Sequence, residues 1–181
     1  MSKATDPKQI HIMVDLETLS TRAHATILSI GAVKFNIQDG ILDTFYINID
    51  AKSCKDFGLH VSKSTVEWWA KQKPEALKAL MVDPKPLDYA LDEFIKWIGS
   101  DEIMIWGNGA SFDVTILEEA MSAVGIKKYP WMHWNIMCFR TVMNLMGIRN
   151  SDIRKSENDL HHHALDDAIS QTNTLLKVLK S

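Results

Sequence analysis

The sequence predicts an α/β domain in which three antiparallel strands are followed by helices that enclose one further strand. Two patterns predict this class. Short apolar segments rich in β-branched residues cover 10–17, 27–37 and 42–49, and only short turns separate them. After residue 64 the apolar residues recur every three or four positions, which is typical of amphipathic helices. A compact apolar run over 102–106 interrupts the helices and predicts the fourth strand.

Hydroxyl side chains mark the expected starts of two helices. Ser64, with Glu67 three residues later, predicts a helix through residue 72. Ser111 is expected to cap a helix that runs to residue 124. Apolar spacing, together with proline and glycine breaks, predicts the other helices, over residues 74–81, 87–99, 136–146 and 163–180.

Length and composition are those of one globular domain. The chain has 181 residues, of which 46% are hydrophobic and 24% are charged. We expect residues 1–9 to form a loose polar arm, residues 10–181 to form a single domain, and the polar stretch 147–160 to be a mobile loop. Of the six tryptophans, four are expected in the core: Trp97, Trp106, Trp131 and Trp134.

Several classes of protein are disfavoured by the same sequence. No run approaches the roughly 18 apolar residues of a membrane span, and the polar start lacks the apolar centre of a signal peptide. Two cysteines are too few for a disulfide framework, so a cytoplasmic protein without a membrane partner is expected. The net charge of −3 excludes a protein that coats nucleic acid with bulk positive charge. A polyanion would have to be held locally, by a basic patch or by metal ions.

Asp15 and Glu17 stand two positions apart at the end of the first strand. Strand side chains alternate, so both carboxylates leave the same face. Adjacent anions raise each other's pKa unless a cation neutralises them, and oxygen ligands of this kind suit Mg²⁺ or Mn²⁺. The alternative is a pair of acids at a solvated rim of the sheet.

Two later groups of polar residues leave their roles open on the residues alone. Asp113 falls in the first turn of its helix, where an acid is favoured by the helix dipole alone. The segment His161-His162-His163 precedes Asp166 and Asp167, and helical spacing pairs either His162 with Asp166 or His163 with Asp167. Zinc is disfavoured because both cysteines are distant and the His-x3-His spacing is missing from the sequence.

Three segments, in chain order, resemble the exonuclease motifs of DnaQ-like 3′–5′ exonucleases of the DEDDh type. They are Asp15-Leu16-Glu17-Thr18, Asn108-Gly109-Ala110-Ser111-Phe112-Asp113 and His162-His163-Ala164-Leu165-Asp166-Asp167-Ala168. A fourth segment, Thr65-Val66-Glu67-Trp68-Trp69-Ala70-Lys71-Gln72, is similar to one in the bacterial and phage branch that includes a mycobacterial 3′–5′ exoribonuclease and exodeoxyribonuclease VIII-like proteins. Arg140-Thr141 also resembles a pair in that branch, although Cys138 stands where the branch has an acidic residue.

The resemblance implies a fold and a set of residue roles. The fold is ribonuclease H-like, with a central mixed sheet that begins with the antiparallel meander and is flanked by helices. Two divalent ions, Mg²⁺ or Mn²⁺, would be held by Asp15, Glu17, Asp113 and Asp167. His162 would be the general base, which leaves Asp166, His161 and His163 without a catalytic role.

The implied activity is metal-dependent 3′–5′ exonuclease cleavage of single-stranded nucleic acid or 3′ overhangs. A two-metal mechanism would release nucleoside 5′-monophosphates, with RNA slightly favoured over DNA. The substrate contacts would be Thr18, Leu19, Trp68, Trp69 and Asn108, with Trp69 favoured over Trp68 as a base platform. Two alternatives stay open: an end-binding module with little turnover, and a phosphodiesterase for very short oligonucleotides. Related enzymes are often homodimers, so a homodimer is also expected.

Overall fold

The structure, a computed structural model, describes residues 6–149 and 163–180 and contains a five-stranded mixed sheet. The strands are β1 (Ile10–Thr18), β2 (Ile27–Asn36), β3 (Gly40–Asn48), β4 (Ile103–Gly107) and β5 (Ile136–Cys138). Their order across the sheet is β3-β2-β1-β4-β5. The first three strands are antiparallel, whereas β4 pairs in parallel with β1 and with β5. The predicted meander and mixed sheet are confirmed.

Helices pack on both sides of this sheet. They are α1 (Ala51–Asp56), α2 (Lys63–Trp69), α3 (Pro74–Leu80), α4 (Leu87–Ile98), α5 (Asp113–Ala123), α6 (Phe139–Leu145) and α7 (Ala164–Leu179). Within the described residues, none of these helices has the length and apolar character to cross a bilayer.

Two elements depart from the expected pattern because they are too short to show a period. The predicted helix over 136–146 begins only at Phe139, since the three residues before it form β5 against β4. The helix α1 has six residues and buries only Cys54, so it shows no apolar stripe. Its start is fixed by Asp50, whose Oδ1 accepts a hydrogen bond of 3.0 Å from Lys52 N.

Both predicted helix caps are wrong, the first by two residues and the second by one. Ser62, not Ser64, is the N-cap of α2, and the two hydroxyls are 2.8 Å apart. The helix α5 begins at Asp113 with Phe112 as its N-cap, so Ser111 lies outside it. Tertiary contacts of Asp113, described below, set that start.

The side chains of β1 alternate between two hydrophobic cores, one on each face of the sheet. Its even-numbered residues Ile12, Val14 and Leu16 enter the main core, which also contains residues from α4 and α5. Its odd-numbered residue Met13 joins a second cluster with Trp106 and with residues of α6 and α7. The acids predicted to be functional, at odd positions of the same strand, therefore share the face covered by α7.

The first turn of α7 lies directly on β2 at Gly31. A Cβ atom at this position would lie 2.2 Å from Ala164 C and 2.2 Å from Leu165 N, so only glycine allows the contact. Gly31 is the register partner of Asp15 in β1. The close approach therefore fixes the start of α7 beside the end of β1.

The tryptophan predictions are confirmed at two positions and wrong at one. Trp106 and Trp131 are buried, and Trp97 is half-buried beneath Lys34. Trp134 is 64% exposed, because it falls in a short 3₁₀ turn, His133–Asn135, whose Asn135 rather than Trp134 points inward.

Candidate active site

Three carboxylates converge where β1 ends and α7 begins. One oxygen each from Asp15, Glu17 and Asp167 lies within 4.8 Å of the other two. Asp15 and Glu17 leave the same face of β1, and Asp167 projects from the first turn of α7. The strand is irregular between Glu17 and Thr18, where its register with β2 shifts.

Asp113 reaches the same place from the other side of the sheet. The parallel pairing of β1 with β4 ends at Val14 and Gly107, so the next N–H groups of β1 lack a strand partner on that side. Asp113 Oδ1 accepts a hydrogen bond of 3.3 Å from Leu16 N and is only 3% exposed. Gly107 leaves room for it, since a Cβ there would lie 3.0 Å from Asp113 Oδ2.

The four acids are electrostatically unfavourable as free anions. Burial raises the pKa of Asp15 well above its usual value, and the neighbouring charges of Asp113, Glu17 and Asp167 raise it further. Burial likewise raises the pKa of Asp113 to about 7. A divalent cation would remove this repulsion, and an all-carboxylate donor set is the one that Mg²⁺ and Mn²⁺ prefer. The residues present therefore fit the metal ions that the sequence implies.

The histidine segment is described only from His163 onward. The predicted base His162, with His161, lies outside the described residues. His163 stacks on Tyr46 with ring centroids 4.4 Å apart, and its Nδ1 lies 3.4 Å from Asp166 Oδ2. The two adjacent acids of α7 thus diverge: Asp166 faces His163, and Asp167 faces the acids of β1.

A cavity of about 360 Å³ opens beside the carboxylates. It is lined by Leu16, Glu17, Thr18, Thr21, Ser64, Thr65, Trp68, Trp69 and Phe112. Trp68 is 41% exposed and lines this space. Trp69 is only 3% exposed, and its Nε1 donates a hydrogen bond of 2.9 Å to Thr18 O. Trp69, which was expected to be the base platform, is therefore buried and supports the end of β1. Trp68 is the accessible tryptophan of the pair.

The other expected substrate residues also lie near this edge of the sheet. Thr18 uses its hydroxyl to donate a hydrogen bond of 2.8 Å to Ser20 O. Leu19 packs against the small cluster around Trp69. Asn108 Oδ1 is buried and has no hydrogen-bond partner among the described residues, while Asn108 O accepts a hydrogen bond of 2.7 Å from Arg140 Nη2.

One residue at the site was missed in the sequence. Gln171 Nε2 donates a hydrogen bond of 2.8 Å to Asp15 Oδ1. Its position four residues after Asp167 puts it one turn further along the same helix face, and that spacing was a usable signal.

Comparisons with known proteins agree with this geometry. Residues 10–179 match the family described as the 3′-5′ exoribonuclease Rv2179c-like domain. The exodeoxyribonuclease of Enterobacteria phage T4 is 30% identical over 121 residues, and the match covers 58% of this chain and 52% of that protein. The chain therefore spans about half the length of this curated relative.

Solved structures show the same fold at low identity. The nuclease domain of 3′hExo, a DEDDh family member bound to rAMP, has a TM-score of 0.63 at 13% identity, covering 95% of this chain and 92% of that one. Escherichia coli Exonuclease I in complex with a dA16 oligonucleotide has a TM-score of 0.61 at 14% identity, and the match covers 94% of this chain and 41% of that one. The predicted ribonuclease H-like fold is confirmed. Because the family match extends over residues 10–179, from β1 to α7, this chain belongs to the Rv2179c-like family of 3′–5′ exoribonuclease domains.

Proposed function

We propose that the acids at the end of β1 form the active centre of a metal-dependent 3′–5′ exonuclease that releases nucleoside 5′-monophosphates. The observation that carries the proposal is the convergence of Asp15, Glu17 and Asp167 within 4.8 Å, with buried Asp113 beside them. Carboxylates from three separate elements repel one another, and a bound cation would offset that repulsion.

Asp15, Glu17, Asp113 and Asp167 would hold the metal. Two Mg²⁺ or Mn²⁺ ions bound there would supply an activated water and stabilise the leaving 3′-oxygen. The protein itself fixes the ligands on rigid elements, on β1 and in the first turns of α5 and α7. This arrangement also accounts for binding of a polyanion by a chain of net charge −3.

His162 is proposed as the general base that accepts a proton from the attacking water. An imidazole with an unperturbed pKa near 6.5 can do so at neutral pH. The proposal rests on the family motif, since the described residues begin again at His163. A His162→Ala variant is expected to lose activity and the rise of rate with pH that titration of His162 produces.

The 3′-terminal nucleotide is proposed to occupy the 360 Å³ cavity next to Glu17. Its base would stack on Trp68, whose ring is accessible, while Trp69 supports the strand end through Thr18. Stacking on an aromatic ring contributes about 1–3 kcal/mol for each base. Such a cavity admits an unpaired end, so single strands or 3′ overhangs are the proposed substrates.

RNA is proposed as the preferred substrate, on the description of the matched family as exoribonucleases. The T4 relative is described as an exodeoxyribonuclease, and the Exonuclease I structure holds a DNA oligonucleotide, so DNA must be tested directly. The cytoplasmic location and the homodimer stay predictions.

The deciding experiment is a time course on 5′-labelled single-stranded RNA and DNA of one sequence. Each substrate is incubated with Mg²⁺, with Mn²⁺ and with EDTA. The variants are Asp167→Asn and its matched control Asp166→Asn, which removes the neighbouring acid that faces His163 instead. We expect a metal-dependent ladder that shortens from the 3′ end, is lost in Asp167→Asn and persists in Asp166→Asn.

Other outcomes would indicate other functions. Binding of 3′ ends without shortening would indicate an end-binding module. Cleavage only of oligonucleotides of two to four residues would indicate a phosphodiesterase for very short substrates. Activity in Asp167→Asn equal to that of the wild type would remove Asp167 from the site.

A further inference from the structure

The helix α7 contacts the acids of β1 twice. Asp167 and Gln171 are four residues apart, so both side chains leave the same face of the helix. Gln171 Nε2 donates a hydrogen bond of 2.8 Å to Asp15 Oδ1, a contact between residues 156 positions apart in the sequence. Gln171 is 6% exposed, so water does not compete strongly for this hydrogen bond.

The orientation of the amide fits the chemistry of the two groups. The structure directs the NH₂ group of Gln171 towards Asp15 Oδ1 and its Oε1 away, which is the orientation that an ionised, metal-binding carboxylate requires because it only accepts hydrogen bonds. That Oε1 is buried without a hydrogen-bond partner among the described residues. An unsatisfied buried acceptor costs about 1–3 kcal/mol of stability, which an apolar side chain of the same length would avoid. Packing therefore does not explain a glutamine here, whereas its contact with Asp15 does.

We propose that Gln171 is a positioning residue that fixes the carboxylate of Asp15 and leaves its second oxygen for a cation. The inference rests on the proposed function, because it assumes that the acids hold a metal. Without the hydrogen bond the Asp15 carboxylate is free to rotate about its terminal torsion. Hydrogen-bonding partners that orient metal ligands typically contribute 10–100-fold to metal affinity or activity.

The test is Mn²⁺ binding to the full chain, without nucleic acid, measured by isothermal titration calorimetry. Gln171→Met keeps the length of the side chain and removes the donor. Thr172→Val is the matched control: Thr172 is wholly buried on the same helix, and its hydroxyl has no partner among the described residues. We expect Gln171→Met to weaken Mn²⁺ binding about 10-fold or more with its thermal midpoint retained, and Thr172→Val to bind as the wild type does.

Each remaining outcome decides against the proposal or supports it. Unchanged Mn²⁺ affinity in Gln171→Met, or an equal loss in Thr172→Val, would overturn it and leave the proposed function standing. Failure of the wild type to bind Mn²⁺ would overturn both. If Gln171→Met does not fold, Gln171→Asn replaces it, because that amide is one methylene too short for the contact with Asp15. Loss of affinity in Gln171→Asn supports the proposal, and wild-type affinity overturns it.

Discussion

The two faces of β1 differ in what their side chains do. On one face Ile12, Val14 and Leu16 are buried in a continuous apolar core. On the other face, Asp15 and Glu17 lie among like charges that raise the pKa of Asp15. One face therefore stabilises the fold along its whole length, whereas the other stabilises it at Met13 and opposes it at the end of the strand, where the acids meet. Substitutions on the two faces should separate stability from activity, which the following predictions use.

The largest effect is expected from Asp15→Asn. Loss of a charged metal ligand should reduce nuclease activity by about 10³-fold or more, equivalent to about 4 kcal/mol in the activation barrier. The same change removes one of the repelling charges, so the metal-free variant should have a higher thermal midpoint than the wild type. Steady-state rates and thermal unfolding in EDTA check both signs. A lower midpoint would contradict the contrast between the two faces.

The opposite result is expected from Phe94→Ala on the main-core side. Phe94 is wholly buried and contacts Phe45 and Trp97 with centroids 5.4 and 6.0 Å away. Its truncation should reduce the free energy of unfolding by about 3–5 kcal/mol. Activity per folded molecule should be unchanged, which denaturant titration and assays at low temperature can measure. A selective loss of activity would show that the two faces are coupled.

The pH dependence of stability should report Asp113 when the wild type is compared with Asp113→Asn, because burial also lowers the pKa of His11 to about 4 and gives a change of opposite sign that both proteins share. Burial raises the pKa of Asp113 from 3.8 to about 7, so between these values the folded state binds more protons than the unfolded state. The contribution of Asp113 to the free energy of unfolding of the metal-free protein should therefore fall as pH rises from about 4 to about 7, by about 1.4 kcal/mol for each unit of pKa shift. Added Mg²⁺ should reverse the fall at pH 7. An Asp113→Asn variant with an unchanged profile would contradict the assignment.

Gly31→Ala should affect both properties at once. The added Cβ would meet the backbone of Ala164 and Leu165 at 2.2 Å, so α7 must shift and carry Asp167 with it. We expect a loss of about 1–3 kcal/mol in stability, as for other overpacked sites, together with weaker Mn²⁺ binding. Calorimetric titration with Mn²⁺ would measure the loss of binding, and thermal unfolding would measure the loss of stability. Wild-type metal affinity in a destabilised variant would show that α7 tolerates the shift.

The smallest effects are expected from substitutions of Trp68 and Trp69. One substitution should change substrate binding, and the other should change stability. Trp68→Ala should raise KM by a factor that corresponds to about 1–3 kcal/mol of lost stacking, with the thermal midpoint unchanged. Trp69→Ala should instead lower the midpoint, since Trp69 is buried and bonded to Thr18 O. If both variants raised KM equally and neither changed the thermal midpoint, Trp69 would contact the base as expected from the sequence.

Long periodic elements were predictable from the sequence, and short or tertiary-determined ones were not. The meander and α4 show clear periods, and the structure has them within two residues of the predicted bounds. The three residues of β5 show no period, and they become a strand only because β4 offers a free edge. The start of α5 depends on the contact of Asp113 with Leu16 N, which no local rule contains.

The candidate site was likewise predictable from the sequence only in part. The motifs named the four acids, and the structure brings Asp15, Glu17 and Asp167 together. Spacing alone left Asp166 and Asp167 equivalent, because the choice depends on which side of α7 faces β1. The exposure of Trp68 and Trp69 depends likewise on how α2 packs, so no sequence pattern distinguished them.

Because α7 packs on Gly31, the candidate site can form only after α7 has been synthesised. β1 leaves the ribosome before α7, because it precedes α7 in the chain. Until α7 docks, Asp15 and Glu17 lack both Asp167 and the amide of Gln171. A nascent or prematurely terminated chain that stops before residue 164 therefore lacks part of the proposed metal site and is expected to be inactive.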